Sequence, residues 1–320
     1  MNFNKANIWV VTDGSQGMIS QAKGLAQQIS NNIFNIKIEL YFPWSLLQPG
    51  ILPIYKWIFK NKISFKKKPK IVISCGRKSV YFSLYIKKIY KDIITIHIQN
   101  PKINFTNFNF IIAPNHDNIK GKNIINSIGA IHQFTNQNIK NKIINFPKKN
   151  LISIIIGGKN NHYKFSKKNV SDIILSVRKL KKRYPNFNFL IVGSRRTGKN
   201  ANQILQSKLK NIAYVWNGLD KNPYSFALKY SNFFIVTSDS TSMISECAFT
   251  GKPIFVYHLP FRRKSPRINN FHKEFEKLNI THKFSNNIKL IQWKYKSLDE
   301  AKRIAGILKE KIIKDFNESK

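Results

Sequence analysis

The chain contains very few cysteines. Its 320 residues include two Cys, against 24 Phe and 12 Tyr. Cys75 and Cys247 both lie in apolar segments, and two thiols cannot form a disulfide framework or a cysteine-rich zinc site. We therefore expect reduced, buried thiols of the kind found in cytoplasmic proteins.

Long apolar runs are also missing. No segment reaches the roughly 18 uninterrupted apolar residues that a membrane-spanning helix needs. The N-terminal sequence MNFNKANIWVVTDG turns polar too early for a signal peptide. We expect a cytoplasmic protein, and peripheral attachment to the inner membrane is an alternative that the charge distribution leaves open.

Acidic residues are scarce relative to basic ones. The chain has 55 Lys and Arg against 15 Asp and Glu, a formal net charge of +40. Such a charge attracts polyanions, which include anionic membranes, nucleic acids and phosphorylated substrates. No recognisable nucleic-acid motif accompanies the charge, so no specific nucleic-acid partner is predicted.

The segment KWIFKNKISFKKKPK, from Lys56 to Lys70, interleaves lysines with apolar side chains that include Trp57, Ile63 and Phe65. This mixture is typical of segments that lie on an anionic membrane surface, and Lys66, Lys67 and Lys68 would carry the contact. Two alternatives stay open. The segment is a solvated linker face, or its lysines are drift on a tolerant surface.

Strand and helix patterns alternate along the chain. The apolar runs NIWVVT, IKIEL, KIVISCG and ITIHIQ predict strands in the first half, and the pattern restarts with LISIIIGG at Leu151 after the polar FPKKN. Alternation at this spacing predicts parallel sheets with helices on both faces. We expect an α/β fold with two Rossmann-like domains facing across a cleft, where such sheets bind ligands.

The predicted domains are an N-terminal Rossmann-like domain over residues 1–148 and a C-terminal Rossmann-like domain over residues 149–296, followed by a C-terminal helix over 297–320. That helix carries Leu298, Ile304, Ile307, Leu308, Ile312 and Phe316 at helical spacing. Ser297 is its predicted N-cap, with Glu300 completing a capping box. We expect this amphipathic helix to pack back on the body, and partner binding is the alternative.

The run SDSTSMISECAFTGKP, from Ser238 to Pro253, lies between the strand patterns FFIVT and IFVYHL. Ser238, Ser240 and Ser242 fall where a helix begins, so their hydroxyls and the N–H groups of the first turn can hold a diphosphate. Glu246, one turn later, can accept two hydrogen bonds from the vicinal diol of a ribose. The alternative is that the serines only cap the helix and that Glu246 is a solvated acid.

Polar residues also follow the other predicted strands. Gly157 and Gly158 permit a close approach of backbone to phosphate, although paired glycines also occur in plain tight turns. Arg195 and Arg196 can neutralise a diphosphate leaving group, unless they are merely solvated.

Two residues of the first half are candidates for a general base. His116, in APNHD, or Asp13 can accept the proton of an acceptor hydroxyl, although a histidine at a strand end is often structural. The sequence contains no metal-ligand spacing, no G-x-S-x-G elbow and no dinucleotide fingerprint.

Eight segments together resemble a known family. In order they are VTDGSQGMISQAKGLA, VISCGRKS, IHIQNP, APNHD, IIIGGKNNHY, GSRRT, NPY and TSDSTSMISECAFTGKP. They resemble the motifs of the ELM1-like proteins, named for a plant mitochondrial fission factor, over about Asn7 to Phe284. The resemblance implies the architecture of GT-B glycosyltransferases.

Within that architecture, SMISECAFTGKPIFV is similar to the donor-binding helix of MurG-type enzymes. The similarity implies that Glu246 holds the nucleotide ribose and that IIIGGKNN is the glycine loop opening the second domain. In the corresponding first-domain turn, Ser15 and Gln16 interrupt the glycines. The predicted contacts with the nucleotide sugar are Gly157, Gly158, Ser194, Arg195, Arg196, Asn217, Ser238, Ser240, Ser242, Met243 and Glu246.

The leading hypothesis is a GT-B-like glycosyltransferase that uses a nucleoside diphosphate sugar as substrate at the membrane surface, with no further cofactor and no metal. In this hypothesis the domain over residues 149–296 binds the nucleotide sugar, and the domain over residues 1–148 lies on the acceptor side. Stabilisation of the departing diphosphate by guanidinium groups and a helix N-terminus is an electrostatic task that requires no metal. The alternatives are a non-catalytic membrane-surface adaptor of the ELM1 family and a nucleotide-sugar epimerase of similar fold.

Overall fold

The computed structural model describes residues 2–61, 67–136, 139 and 145–318. Its contacts divide the chain into two compact units, which we call the first unit (Met1–Gln133 with Asp299–Lys320) and the second unit (Phe134–Leu298). Ile63, Phe65 and Lys66 of the predicted basic segment lie outside the described residues, and so does the side chain of Phe316.

The first unit contains a six-stranded parallel sheet. Its strands are β1 (Ile8–Thr12), β2 (Ile33–Lys37), β3 (Ile71–Cys75), β4 (Ile94–Ile98), β5 (Phe110–Pro114) and β6 (Ile124–Ser127), in the order β2-β1-β3-β4-β5-β6. Every residue of β1, β3 and β5 is buried. Continuous burial of this kind is typical of parallel strands covered on both faces.

Helices cover both faces of this sheet. They are α1 (Gln16–Ile29), α2 (Arg77–Ile89) and, from the end of the chain, α8 (Glu300–Glu318). α1 and α8 share a hydrophobic core with Ile8 and Val10, whereas α2 packs with Trp9 and Val11 on the opposite face. The C-terminal helix therefore completes the core of the first unit, through side chains that include Ile304 and Leu308.

The predicted cap of the C-terminal helix is wrong. The hydroxyl of Ser297 donates to the carbonyl of Phe249, and Asp299 Oδ1 accepts the N–H of Lys302 at 3.2 Å. Glu300 instead accepts the N–H of Ile128 at 2.8 Å. The helix starts later than its sequence pattern indicates, so an aspartate takes the capping position.

The second unit contains a second six-stranded parallel sheet. Its strands are β7 (Leu151–Ile156), β8 (Asn188–Gly193), β9 (Tyr214–Val215), β10 (Phe233–Thr237), β11 (Ile254–Tyr257) and β12 (Thr281–Lys283), in the order β12-β11-β10-β7-β8-β9. Its helices are α3 (Lys167–Arg183), α4 (Lys199–Leu209), α5 (Tyr224–Tyr230), α6 (Thr241–Ala248) and α7 (Pro266–Lys277). The predicted α/β fold of two parallel sheets with alternating helices is confirmed.

Local sequence explains where several of these elements begin and end. Ser166 caps α3, and Asn169 Oδ1 accepts the N–H of Ser166 in return, at 2.9 Å. The helix ends at Arg183, shortly before Pro185, which cannot continue it. The predicted strand IKIEL is shifted toward the N-terminus. The parallel pairing of β2 ends with a hydrogen bond from the N–H of Ile38 to the carbonyl of Thr12 at 2.8 Å, and Leu40 forms an antiparallel bridge with Phe59 instead. α4, α7 and β12 were not predicted.

The strand order of each sheet reverses at one point. In the first unit this switch point lies between β1 and β3, and in the second it lies between β7 and β10. Sheets of this kind bind ligands outside the carboxyl ends of the strands at the switch point. We call the residues that follow those strand ends the carboxyl edge.

Within the described part of the chain, no helix combines the length and the apolar character needed to cross a bilayer.

Candidate functional site

Three loops of the second unit meet at its switch point. They follow β7, β8 and β10, which are neighbours in the sheet. Predicted site residues lie in all three: Gly157 and Gly158 in the first, Ser194 to Arg196 in the second, and Ser238 to Ser240 in the third. Parallel pairing places these strand ends side by side.

A buried aspartate connects the three loops. Asp239 Oδ2 accepts the N–H of Gly158 at 3.0 Å and lies 2.8 Å from Nη2 of Arg196. Its Oδ1 accepts the hydroxyl of Thr237 at 2.6 Å. The Thr237 hydroxyl accepts the N–H of Gly157 in turn, at 2.8 Å.

The electrostatics of this aspartate combine two opposing effects. Its carboxylate is completely buried, whereas the Arg196 side chain keeps 33% of its surface exposed. Burial raises the pKa of Asp239, and the Arg196 guanidinium opposes that rise. Arg196 is therefore committed to an internal ion pair, while its neighbour Arg195 is exposed to solvent.

The paired glycines are required by this packing. A Cβ on Gly157 would lie 2.1 Å from Asp239 Oδ2, and one on Gly158 would lie 2.2 Å from the carbonyl oxygen of Arg196. Gly158 also has a φ of +131°, which L-residues with a Cβ rarely adopt. The sequence predicts that the backbone of these glycines comes close to a phosphate. In the structure, the two glycines come close to the loops after β8 and β10.

The loop after β8 is held by its own hydroxyl groups. Ser194 Oγ donates to the carbonyl of Gly157 and accepts the N–H of Arg196 at 3.1 Å. Thr197 Oγ1 donates to the same carbonyl, at 2.8 Å. Ser194 therefore orients the turn that carries Arg195 and Arg196.

The serines at the start of α6 separate into two groups. Ser238 is fully buried, and its Oγ accepts the N–H of Leu259 at 3.0 Å. Ser240 is the N-cap of α6, and its Oγ accepts the N–H of Met243 at 3.4 Å. Ser242 and Met243 are partly exposed on the first turn. The structure thus uses Ser238 internally and leaves the first turn of α6 accessible.

Glu246 lies in the second half of α6 and is held by a tyrosine. The hydroxyl of Tyr224, the first residue of α5, donates to Glu246 Oε2 at 2.5 Å. Burial, followed by the Glu246 carboxylate, raises the pKa of Tyr224 well above its ordinary value, so the phenol remains a donor. Glu246 itself is 8% exposed. Glu246 is therefore a buried acid with a fixed orientation, not the solvated surface acid of the alternative interpretation.

Asn217 follows β9 and serves a local turn. Its Oδ1 accepts the N–H groups of Leu219 and Asp220 at 2.8 and 2.9 Å, and its Nδ2 donates to Asp220 Oδ2 at 2.6 Å. β9 is an edge strand two positions from β7. The structure does not bring Asn217 into the group around Asp239.

The first unit has a different carboxyl edge at its switch point. Asp13, partly exposed after β1, accepts the N–H of Ser15 at 2.9 Å. After β3, Gly76 has a φ of +91°, and a Cβ there would meet Met18. Arg77 opens α2 and donates to the carbonyls of Ser45 and Leu47.

His116 lies further along the same sheet, in a turn after β5. It is 5% exposed, and its Nε2 lies 3.7 Å from Oδ1 of Asp117. Two strands, β3 and β4, separate β5 from β1, and neighbouring strands are about 4.8 Å apart. Asp13 and His116 are therefore not neighbours in this edge.

Asp239 and Tyr224 organise the site in the second unit, and neither is among the site residues predicted from the sequence. Asp239 is the second residue after the strand FFIVT, separated from it by Ser238. A carboxylate so close to a strand end was a usable signal for a site residue. Tyr224 is part of NPY, but its contact with Glu246 spans 22 residues and has no local pattern. Among the described residues no group of three or more His, Cys, Asp or Glu could hold a metal ion.

Comparison with known proteins identifies relatives that match most of the chain. The family model "Mitochondrial fission ELM1" matches residues 16–312. An uncharacterized protein of Rickettsia prowazekii (strain Madrid E) is 28% identical over 351 aligned residues, which cover 95% of this chain and 98% of that protein. The mitochondrial fission protein ELM1 of Arabidopsis thaliana is 22% identical over 284 residues, and the match covers 77% of this chain but only 65% of the plant protein.

Solved structures share the fold at low sequence identity. UDP-GlcNAc 2-epimerase of Methanocaldococcus jannaschii, in complex with UDP-GlcNAc and UDP, gives a TM-score of 0.53 at 12% identity, covering 95% of this chain and 99% of that one. The glycotransferase of kitacinnamycin gives a TM-score of 0.52 at 9% identity, covering 89% of this chain and 88% of that one. These likenesses show a two-domain α/β architecture of the type found in GT-B glycosyltransferases and UDP-GlcNAc epimerases. Since the family model covers nearly all of the chain, this protein belongs to the mitochondrial fission ELM1 family.

Proposed function

We propose that the protein is a metal-independent glycosyltransferase that binds a nucleoside diphosphate sugar in the second unit and acts at an anionic membrane surface. The observation that carries the proposal is the placement of Glu246. This acid lies on the helix that starts at the switch point, and Tyr224 orients its carboxylate at 2.5 Å. Solved proteins of the same fold bind UDP-GlcNAc and UDP, which supports a nucleotide sugar as the ligand.

The diphosphate is assigned to the first turn of α6 and to Arg195. Ser240 caps this helix at the long distance of 3.4 Å, and N–H groups at a helix N-terminus favour anions. Arg195 is exposed, whereas Arg196 is paired with Asp239. In this proposal Arg195 neutralises the departing diphosphate, and Arg196 and Asp239 hold the loop that presents it.

The ribose is assigned to Glu246, with Tyr224 as a positioning residue. A carboxylate can accept hydrogen bonds from both hydroxyls of a vicinal diol. The phenol of Tyr224 fixes one carboxylate oxygen, so the orientation of the acid is set before the ligand arrives. Gly157, Gly158 and Ser194 support the site by allowing the three loops to pack closely.

Asp13 is the better of the two candidate bases. It follows β1 at the switch point of the first unit and is partly exposed, so an acceptor hydroxyl can reach its carboxylate. His116 is 5% exposed, beside Asp117. We assign acceptor activation to Asp13 and a structural role to His116.

Binding is tested by thermal unfolding with a panel of nucleoside diphosphate sugars, since a ligand of the folded state raises the melting temperature by mass action. The best ligand is then titrated calorimetrically into wild type, Glu246→Gln and the control Glu276→Gln, whose side chain is exposed on α7. Loss of a charge-assisted hydrogen bond predicts binding about 10-fold to 100-fold weaker in Glu246→Gln only. Equal affinities of all three proteins would refute the role of Glu246.

The reaction class is tested by following the bound donor with NMR. Transfer predicts that the sugar is consumed only when an acceptor fraction is added. Epimerisation predicts a new sugar signal without any acceptor. An adaptor predicts that no nucleotide sugar binds and that cells tolerate Glu246→Gln.

A further inference from the structure

The segment Tyr41–Trp57 of the first unit, which we call the aromatic loop, exposes a concentration of apolar surface. Six of the 14 large hydrophobic side chains exposed in the described residues lie in it, and the other eight are scattered along the rest. The six side chains of the aromatic loop are Tyr41, Phe42, Leu46, Ile51, Tyr55 and Trp57. Scattered exposed side chains are normal, but a concentration of this size marks an interaction surface.

The aromatic loop has a defined conformation that holds these side chains outward. Trp44 is its buried centre: its Nε1 donates to the carbonyl of Pro53 at 3.0 Å, and its ring meets that of Trp57 edge-on at 4.9 Å. Arg77 donates to the carbonyl of Leu47. Since Arg77 follows β3, the loop is attached to the carboxyl edge of the first sheet, the same edge that carries Asp13.

The surroundings of the loop are positively charged. No Asp or Glu occurs between Glu39 and Asp92 in the sequence. Lys56 is exposed within the loop, and Lys60 and Lys67 are exposed shortly after it. Aromatic side chains flanked by lysines match the interface of an anionic bilayer, where rings enter the headgroup region and ammonium groups meet lipid phosphates.

We propose that the aromatic loop inserts into the surface of an anionic phospholipid bilayer. This extends the membrane contact expected for Lys56–Lys70 by assigning most of its apolar part to the preceding segment, which shares Lys56 and Trp57 with it. Insertion also brings the edge that carries Asp13 to the membrane, which identifies the acceptor as a lipid-linked compound. That identification rests on the proposed glycosyltransferase function.

The charge distribution favours a bilayer over a second copy of the chain. Two copies meeting through the aromatic loop would bring two sets of lysines together, whereas Glu39, the carboxylate nearest to the loop in the sequence, is already paired with Lys37 at 2.6 Å. Like charges across an interface oppose association. An anionic lipid surface supplies the complementary charge. A dimer through this loop is therefore an outcome of the test that contradicts the proposal.

The test is sedimentation with vesicles of phosphatidylcholine and phosphatidylglycerol in equal parts. The variant Phe42→Ser/Leu46→Ser/Ile51→Ser removes three side chains that are 75%, 72% and 62% exposed. Its control, Leu175→Ser/Leu219→Ser/Ile291→Ser, removes exposed apolar side chains of the second unit. We expect the partition coefficient to fall about 10-fold or more in the loop variant, because less apolar surface enters the bilayer, and to stay unchanged in the control.

Depth of insertion is tested with lipids brominated on their acyl chains. Quenching of tryptophan fluorescence is expected in the wild type and is expected to decrease in Trp57→Phe, which keeps an aromatic ring against Trp44. Three results would each overturn the proposal. The loop variant partitions as well as the wild type, quenching is equal with and without Trp57, or the wild type forms a lipid-free dimer that the loop variant does not form.

Thermal stabilisation by UDP-GlcNAc, measured on the same loop variant, separates the two proposals. We expect it to equal that of the wild type, since the substituted side chains belong to the first unit. If the wild type binds vesicles but no nucleotide sugar, the proposed function fails and membrane insertion stands. If it binds the nucleotide sugar but no vesicles, membrane insertion fails alone.

Discussion

Both sheets are doubly wound, but they differ in strand order and in the chemistry at their switch points. In the second unit, the buried carboxylate of Asp239 joins three loops through Gly158, Thr237 and Arg196. In the first unit, Asp13 is partly exposed and accepts a local hydrogen bond from Ser15. The comparison shows that the switch point of a parallel sheet can carry a rigid, internally cross-linked edge or a more open one, depending on a few polar residues.

This difference agrees with the roles proposed for the two units. A site that distinguishes a nucleotide needs oriented donors and acceptors before the ligand arrives. An edge that receives an acceptor from a membrane needs an accessible base and an adjoining apolar surface. The following predictions either remove the polar cross-link or test what stabilises the first unit in its place.

The largest effect is expected for Asp239→Ala. The substitution leaves Arg196 without its carboxylate and removes the acceptor of the Gly158 N–H group. Breaking a buried pair costs about 3 kcal/mol of unfolding free energy, at the lower end of the usual range because Arg196 is partly exposed. Denaturant titration measures the loss, with the exposed Asp220→Ala as control. A loss no larger than that of the control would show that the cross-link is not stabilising.

The first unit is stabilised by close packing of α1 instead of a polar cross-link, and substitutions of two glycines in that helix test this packing. A Cβ on Gly24 would lie 2.2 Å from the carbonyl oxygen of His132, whereas a Cβ on Gly17 meets nothing within 4 Å. Gly24→Ala should lower the unfolding free energy by about 2 kcal/mol through overpacking. Gly17→Ala should raise it by up to about 1 kcal/mol through helix propensity. Similar effects of the two substitutions in denaturant titration would contradict the packing seen here.

Acid pH should weaken the first unit through His97. This imidazole is buried beside the hydroxyl of Ser74, at 2.8 Å, and burial lowers its pKa to about 3. The unfolded chain takes up the proton near the ordinary pKa of about 6.5, whereas the folded protein does not. The stability that the neutral His97 contributes is therefore complete above that pH and is lost as the pH falls. Between pH 7 and pH 5 the loss is about 2 kcal/mol. Unfolding free energies at both pH values should show a smaller loss in His97→Gln.

The second unit offers a matched case for that pH dependence. Burial also lowers the pKa of His272, to about 4, and His272→Gln should reduce the pH dependence of the second unit in the same direction. If both variants keep the full wild-type slope, these buried histidines do not cause the acid sensitivity.

The smallest effect is expected for the helix cap at the start of α6. Ser240→Ala should cost about 1 kcal/mol, as should Ser166→Ala, which removes the cap of α3. Only Ser240→Ala should also weaken nucleotide-sugar binding, because its helix start is the assigned diphosphate site. Equal donor affinity in the two variants, measured by calorimetry, would remove that assignment.

The fold was predictable from the sequence because fully buried parallel strands appear as continuous apolar runs, such as LISIII and FFIVT. The helix with Glu246 was predictable because its first serines come directly after the apolar run FFIVT, which fixes the end of the preceding strand. β2 was misplaced because it is an edge strand whose exposed residues hide the pattern.

The internal contacts of the site were not predictable. Asp239 meets the N–H of Gly158 across 81 positions, and Glu300 meets Ile128 across 172. Such pairs depend on how the chain returns to the same edge or helix, and no local spacing encodes them. Sequence therefore indicates which residues follow the strands, and tertiary packing decides which of them point inward.

The most direct test of nucleotide binding by the second unit is a double-mutant cycle on the ribose. The nucleoside diphosphate of the best donor and its 2′,3′-dideoxy analogue are titrated into wild type and Glu246→Gln. If Glu246 accepts the ribose diol, the wild type prefers the natural nucleotide by about 10-fold or more, and Glu246→Gln loses most of that preference. The same preference in both proteins would contradict the placement of the ribose at Glu246, and with it the proposed donor site.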